Sequence, residues 1–318
     1  MGVQHLPTII KRYAPRAVTY TTIKHYVGKK IGIDANLLIY KMIYAVRLGG
    51  SDIENGGRII THIHVLLSKL MAFVKYKITP IFVFDGAPPL IKSGTLDKRK
   101  EFQSKMQAKY MNAINPNEKK KYYFMKADIS PEEITDCMDL ISCFGYTIVE
   151  SIEEADSQLA DLVSRGIVDY VATDDTDILI FGGKNILKNF SVDPTKTIEQ
   201  ISLAKFRTDT GLTQAQLVDL AILLGCDYCS TIKGIGPVSA YKLIQTYGSL
   251  ESVHKSEGLD LPPNYKSARK YFLRPLIMDH RVIRVSKLNV NRVRLENLLT
   301  EFAYEKKFVR GIMKKLIA

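Results

Sequence analysis

Short runs of β-branched and aliphatic residues alternate along this chain with longer stretches in which apolar residues recur every three or four positions. The short runs predict strands at Lys30–Ile33, Ile81–Phe84, Thr147–Val149, Asp169–Ala172 and Ile186–Lys188. The helical spacing predicts helices over Leu37–Val46, Ile59–Tyr76, Pro131–Phe144, Ala155–Arg165, Gln214–Leu224 and Val238–Tyr247. Strands that alternate with helices make an α/β fold. Its central sheet should be mostly parallel and flanked by helices on both faces, because parallel neighbours need long crossovers. No internal repeat interrupts the pattern, so residues 1–318 read as one domain with regions 1–91, 92–130, 131–230 and 231–318. The second region departs from the rest. Its stretch 92–126 is rich in Lys, Arg, Gln and Tyr, poor in aliphatic residues, and includes Lys98-Arg99-Lys100 and Lys119-Lys120-Lys121. Charge runs are usually solvated helix faces. This one starts directly after Asp85-Gly-Ala-Pro-Pro, which favours a mobile, partly helical insertion over the sheet edge.

Acidic residues sit where the predicted strands end. Asp34 closes Ile-Gly-Ile-Asp, Asp85 follows Phe-Val-Phe, and Asp175 and Asp177 follow the 169–172 strand. That is the carboxyl edge, where open α/β sheets place their sites. Glu154 and Asp156 open a predicted helix, and Asp227 lies in Leu-Gly-Cys-Asp-Tyr. Carboxylates brought this close cannot all stay ionised unless a cation joins them. Magnesium takes oxygen ligands and keeps several waters, and two such ions serve an in-line displacement at phosphorus. The seven acids are therefore assigned to metal binding and catalysis, with a phosphodiester as substrate. Glu153, Asp161 and Asp174 are assigned structural roles, since acids near a helix start are favoured by the dipole alone.

Three further features surround the acids. Lys92 and Arg99 lie one to two turns apart on a predicted helix, within reach of a scissile phosphate. Tyr40 follows Asp34 by six residues; it can stack on a base or sit in the core. Thr231-Ile-Lys-Gly234-Ile-Gly236-Pro follows one apolar helix and opens another, so its glycines let backbone N–H groups approach a phosphate. A plain helix–turn–helix packing corner is the alternative. His62 and His64 read as surface or already satisfied histidines.

Charge and cysteine usage narrow the picture further. The net charge of +12 includes those acids, so the remaining surface is strongly basic and suits a polyanion such as a nucleic acid. No apolar run is long enough to cross a membrane and no secretory pattern opens the chain. Met1-Gly2 fits a myristoylation signal poorly, because Leu6 stands where Ser or Thr is required. Cys137, Cys143, Cys226 and Cys229 suggest an intracellular, reducing compartment. Cys226-Asp-Tyr-Cys229 has no second Cys/His pair, so two half-buried thiols are expected rather than zinc ligands.

Taken in order, Met-Gly-Val-Gln-His-Leu, Ile-Gly-Ile-Asp34-Ala, Phe-Val-Phe-Asp85-Gly-Ala-Pro-Pro, Lys92-Ser-Gly, Glu154-Ala-Asp156, Thr-Asp-Asp175-Thr-Asp177 and Ile-Leu-Leu-Gly-Cys-Asp227-Tyr-Cys through Gly-Ile-Gly-Pro resemble the flap endonuclease branch of the XPG-type structure-specific 5′-nucleases. The match runs from Met1 to about residue 275. The resemblance implies a PIN-like 5′-nuclease fold with a helical arch at 92–130 and a helix–two-turn–helix element after Asp227. It implies a two-metal site of magnesium, for which manganese can substitute. Asp34 and Asp85 would lie towards one ion and Asp175, Asp177 and Asp227 towards the other, with Glu154 and Asp156 between. Lys92 and Arg99 would steer the scissile phosphate, and Tyr40 would stack near the cleavage site. Arg47, Gly234 and Gly236 join Tyr40, Lys92 and Arg99 as expected DNA contacts, and the hairpin could hold a potassium ion. The substrate implied is DNA with 5′ flaps, gaps or junctions, processed in replication, repair or recombination. The setting is the nucleus or a site of viral or cellular DNA replication. The sequence departs from the family at three places. Asp156 stands where Glu is usual, and Val238-Ser239 replaces a basic pair. The clamp-binding motif Gln-x-x-hydrophobic-x-x-aromatic-aromatic is absent, so recruitment by a sliding clamp is not expected. A 5′→3′ exonuclease, a gap or junction endonuclease, and a non-catalytic DNA-junction scaffold are the alternatives.

Overall fold

The computed structural model describes residues 2–49, 51–115, 118–119, 121–122, 129–286 and 288–316. Seven strands form one sheet: β1 (Val18–Thr21), β2 (Lys30–Asp34), β5 (Thr79–Phe84), β6 (Thr147–Glu150), β7 (Tyr170–Ala172), β8 (Asn185–Lys188) and β9 (Ile198–Ser202). A two-stranded ribbon, β3 (Glu54–Asn55) and β4 (Arg58–Ile59), stands apart. The sheet order is β1-β9-β8-β7-β2-β5-β6. The block β8-β7-β2-β5-β6 is parallel, as expected. The other end is not: β9 pairs antiparallel with both β8 and β1. Neither β1 nor β9 was foreseen. Val-Thr-Tyr-Thr and Ile-Glu-Gln-Ile-Ser carry too few aliphatic residues to stand out as buried parallel strands, and antiparallel outer strands need fewer.

The strands alternate faces, which splits the core in two. Ile81, Val83, Val171, Ile186 and Ile201 join one cluster with the helices Leu6–Tyr13, Ala155–Ser164, Gln214–Leu224 and Pro237–Tyr247. Ile31, Ile33, Phe82, Phe84 and Leu187 join the other with Ala35–Arg47, Thr61–Lys75, Pro131–Cys143 and Arg292–Glu301. Each foreseen helix is present, with ends within about two residues of those expected. His62 is not a surface residue; it is 3% exposed and its Nε2 lies 3.0 Å from Asp136.

Two glycines bring the segments that matter into contact. A Cβ at Gly32 would fall 2.8 Å from the Leu159 side chain, so only glycine lets the helix Ala155–Ser164 press onto β2. A Cβ at Gly86 would fall 1.9 Å from the Ser151 carbonyl, and the Gly86 N–H donates to the Glu153 carbonyl at 2.7 Å. The turn after β5 is thereby locked to the loop that carries Glu154. The basic insertion begins as one helix, Ser93–Asn112; its residues 116, 117, 120 and 123–128 lie outside the described set.

Candidate active site

The parallel strands end side by side, so their terminal acids meet at one edge. Asp34 ends β2 and caps the next helix, accepting from the Leu37 N–H at 3.0 Å and from the Thr173 hydroxyl at 3.0 Å. Thr173 is the first residue after β7, so this bond ties two neighbouring strand ends together. Asp85 accepts from the Ala155 N–H at the start of the helix Ala155–Ser164, at 2.9 Å, while its own N–H donates to Asn36 Oδ1 at 3.0 Å. Asp175 Oδ1 accepts from the Asp177 N–H at 3.0 Å, and Asp177 Oδ1 accepts from the Val3 N–H at 2.7 Å. The chain's second residue is wedged against that pair: a Cβ on Gly2 would lie 2.4 Å from Asp175 Oδ1 and 2.6 Å from Asp177 Oδ1.

The electrostatics of this edge are those of an acid cluster short of positive charge. Burial pushes Asp34 up to about 7, with Asp85 and Asp175 adding to the rise. Asp156 and Asp177 are held well above the usual carboxylate range, by burial first and then by facing acids. For Asp156 those acids are Asp175, Asp34, Asp177 and Asp85, which puts it at the centre of the group. Its Oδ1 is buried with no hydrogen-bond partner. Asp85 is shifted in the same direction by the surrounding protein, although its side chain reaches solvent.

On the insertion side of the cleft, Lys92 Nζ contacts Glu154 Oε1 and lies 3.1 Å from Asp227 Oδ2, and Arg99 donates to the same Asp227 oxygen at 2.7 Å. Burial alone would lower the Lys92 pKa; Glu154 and Asp227 outweigh it and raise it. Glu154 is also held by the Tyr228 hydroxyl, and Tyr271 donates to it at 3.3 Å. Thr95 anchors the Asp227 carbonyl at 2.7 Å. All seven acids and both basic residues are thus linked into one group by contacts and facing charges.

These residues fit a hydrated divalent cation. Unpaired, mutually repelling carboxylates need positive charge, and a buried carboxylate oxygen without a donor is an open ligand. Among the described residues no three His, Cys, Asp or Glu side chains converge tightly enough to wrap an ion by themselves.

The remaining expectations divide. Tyr40 is 41% exposed and stacks on Tyr44, with ring centroids 5.8 Å apart, so it is not a core residue. Arg47 is a correction: it is 7% exposed and spent internally, Nε on Asp52 at 2.9 Å and a guanidinium nitrogen on Glu133 at 3.4 Å. It pins the loop after its helix and cannot serve as a DNA contact from there. Gly234 sits at φ 84° and Gly236 caps the helix Pro237–Tyr247; both face open space. Asp174 pairs with Lys41, and Asp161 with Arg165 at 2.7 Å, as structural acids. Besides Thr95 and Tyr271, four contributors escaped the sequence reading: Gly2, Val3, Thr173 and Tyr228. These four lie inside conspicuous motifs, but only the fold shows that they touch the acids.

Comparison with known proteins identifies the chain's relatives. The XPG N-terminal domain model matches residues 1–106 and the XPG I-region model matches residues 145–227. Flap endonuclease 1 of Entamoeba histolytica is 36% identical over 97% of this chain and 84% of its own length. The chain belongs to the flap endonuclease branch of the XPG family. Flap endonuclease 1 of Danio rerio is 35% identical over 88% of this XPG-family chain and 76% of its own. Among solved structures, flap endonuclease-1 from Methanococcus jannaschii superposes with a TM-score of 0.73 at 27% identity, covering 94% of this chain and 95% of that one. The catalytic core of Rad2 in complex with DNA substrate superposes with a TM-score of 0.77 at 23% identity, covering 99% and 100%. This family member therefore has the mostly parallel, helix-flanked nuclease fold that its motifs implied.

Proposed function

We infer that this protein is a divalent-metal-dependent, structure-specific 5′ flap endonuclease that works with magnesium, or manganese in its place, at the seven-acid cleft. The observation that carries the reading is the convergence of Asp34, Asp85, Glu154, Asp156, Asp175, Asp177 and Asp227 on one edge beneath Lys92 and Arg99. Bound metal would supply charge neutralisation and an activated water for phosphodiester hydrolysis. Asp34, Asp85, Asp156, Asp175 and Asp177 are the residues to hold it, with Glu154 and Asp227 completing the set. Lys92 and Arg99 bind those last two acids and sit where a phosphate would arrive. With a phosphate and its cations bound, both basic groups would be free to stabilise charge on the scissile phosphate.

DNA is held by backbone and shape rather than by sequence. Exposed Tyr40 stacks near the cut, and the open backbone at Gly234 and Gly236 meets a duplex phosphate at the start of the helix Pro237–Tyr247. Potassium belongs to that same loop, by the family resemblance. The setting is a reducing compartment where DNA is replicated, consistent with four free thiols.

Cleavage of a 5′-labelled double-flap DNA, with and without magnesium, tests the reading against blunt, gapped and four-way-junction substrates. A single magnesium-dependent cut near the flap base is expected. Stepwise shortening from a duplex end would assign an exonuclease instead. Asp177→Ala should lower cleavage at least ~10³-fold with flap binding still measurable; binding without cutting by the unmodified protein would leave only the scaffold.

A further inference from the structure

The turn Cys226-Asp-Tyr-Cys229 plays no part in the function as derived, beyond presenting Asp227 and Tyr228. Its two cysteines close the turn on each other. The Cys226 N–H donates to the Cys229 carbonyl and the Cys229 N–H to the Cys226 carbonyl, both at 3.2 Å. Residues that exchange both backbone bonds have Cα atoms about 5.5 Å apart and side chains on the same face. A disulfide spans Cα separations of roughly 4.4–6.8 Å, so the backbone already meets its requirement. The two cysteines face one another across this single bridged turn. Cys229 is 5% exposed and its sulfur also donates to Asn264 Oδ1 at 3.5 Å, whereas Cys226 is partly open to solvent. Cys137 and Cys143 offer a built-in contrast, both being fully buried at 0% exposure in the helix Pro131–Cys143.

What lies between the cysteines makes the pair consequential. Asp227 holds Arg99 and Lys92 through its carboxylate and Thr95 through its carbonyl, and Tyr228 holds Glu154. A hydrogen-bonded cross-strand pair keeps its Cβ atoms about 5 Å apart, while a disulfide draws them to about 3.8 Å. Oxidation would therefore tighten the turn by about 1 Å, and a shift of that size in a catalytic group costs on the order of 10²-fold in rate.

We propose that Cys226 and Cys229 are a redox-sensitive modification site, oxidised by peroxide to an intramolecular disulfide that lowers cleavage by displacing Asp227 and Tyr228. One sulfur of the pair attacks a peroxide oxygen and the O–O bond breaks, giving its sulfenic acid and one water. The other sulfur then displaces the sulfenic hydroxyl, which leaves as a second water with that thiol's proton as the S–S bond forms. Two thiols and one hydrogen peroxide yield one disulfide and two waters, two electrons passing from sulfur to oxygen. A dithiol reductant reverses the step. The chemistry stands on the turn alone; its effect on cleavage rests on the function proposed above.

The test treats the reduced full-length protein with hydrogen peroxide, alkylates remaining thiols, and reads both the peptide masses and flap cleavage. The expected result is a peptide carrying Cys226 and Cys229 that is about 2 Da lighter and unalkylated. Cleavage should fall at least tenfold and return with dithiothreitol, whereas Cys226→Ser and Cys229→Ser, each compared with its own untreated sample, should keep their rates. Alkylation of both cysteines, or sulfinic acid at Cys226 without a cross-link, would overturn the site. A disulfide that leaves cleavage unchanged would overturn the regulation. An unmodified protein that never cleaves would count against the nuclease reading instead, and the masses would still decide the cross-link.

Discussion

Substituting Gly2→Ala places a methyl group where the acids already are. The new Cβ would sit 2.4 Å from Asp175 Oδ1, 2.6 Å from Asp177 Oδ1 and 2.9 Å from Asp177 Cγ. Ordinary contact begins near 3.4 Å, so the chain start or the two carboxylates must retreat by about 1 Å, a displacement worth on the order of 10²-fold in rate. Two other costs accompany it. Gly2 has φ 77°, and an alanine there costs about 1–2 kcal/mol. Losing the Val3 N–H bond to the Asp177 carboxylate costs about 1.5–3 kcal/mol more. Gly28→Ala separates strain from clash, because Gly28 has φ 74° but nothing within 4 Å of its added Cβ. Single-turnover cleavage of a labelled flap, with flap affinity measured by anisotropy in calcium, reads the outcome. Gly2→Ala should lose about 10²-fold in rate with affinity within threefold, and Gly28→Ala should lose only about 1 kcal/mol of stability. A Gly2→Ala rate within threefold of the parent, at unchanged melting temperature, would refute the wedge.

The remaining predictions test the acids and the two basic positions. The folded pKa values of Asp34, Asp156 and Asp177 lie above their unfolded values, so the metal-free folded state binds more protons and loses stability as pH rises from about 4 through 7; Asp34 alone accounts for on the order of 2–4 kcal/mol. Thermal melts in chelator should therefore fall between pH 5.5 and pH 8 and flatten with magnesium, and a metal-free protein more stable at pH 8 would contradict the assignment. Arg99→Glu should cut turnover at least tenfold more than duplex affinity, whereas equal losses would demote it to a general DNA contact. Arg47→Ala should cost about 3–5 kcal/mol in urea melts, by stranding Asp52 and Glu133, and leave the salt dependence of flap binding unchanged. A shallower salt slope with unchanged stability would restore Arg47 to the DNA surface.

The sequence by itself determined the parallel half of the sheet, because buried parallel strands need continuous aliphatic runs, and Ile-Gly-Ile and Phe-Val-Phe are unmistakable as such. It determined the acids too, since a strand end is marked by where its apolar run stops, and parallel strands stop on the same edge. Only the tertiary structure decided what those acids touch. Ile198–Ser202 is a strand because β8 offers it an antiparallel edge, and Val18–Thr21 is one because β9 then offers the next; no local pattern announces either. Arg47 and Arg99 look alike in sequence, each a basic residue on a predicted helix. One is consumed by Asp52 and Glu133 inside the fold and the other reaches Asp227 across the cleft. Gly2 and Tyr228 acquire their importance from contacts 173 and 74 residues away in the chain, to Asp175 and Glu154. Periodicity is a property of neighbours along the backbone, whereas charge pairing and steric fit are properties of neighbours in space.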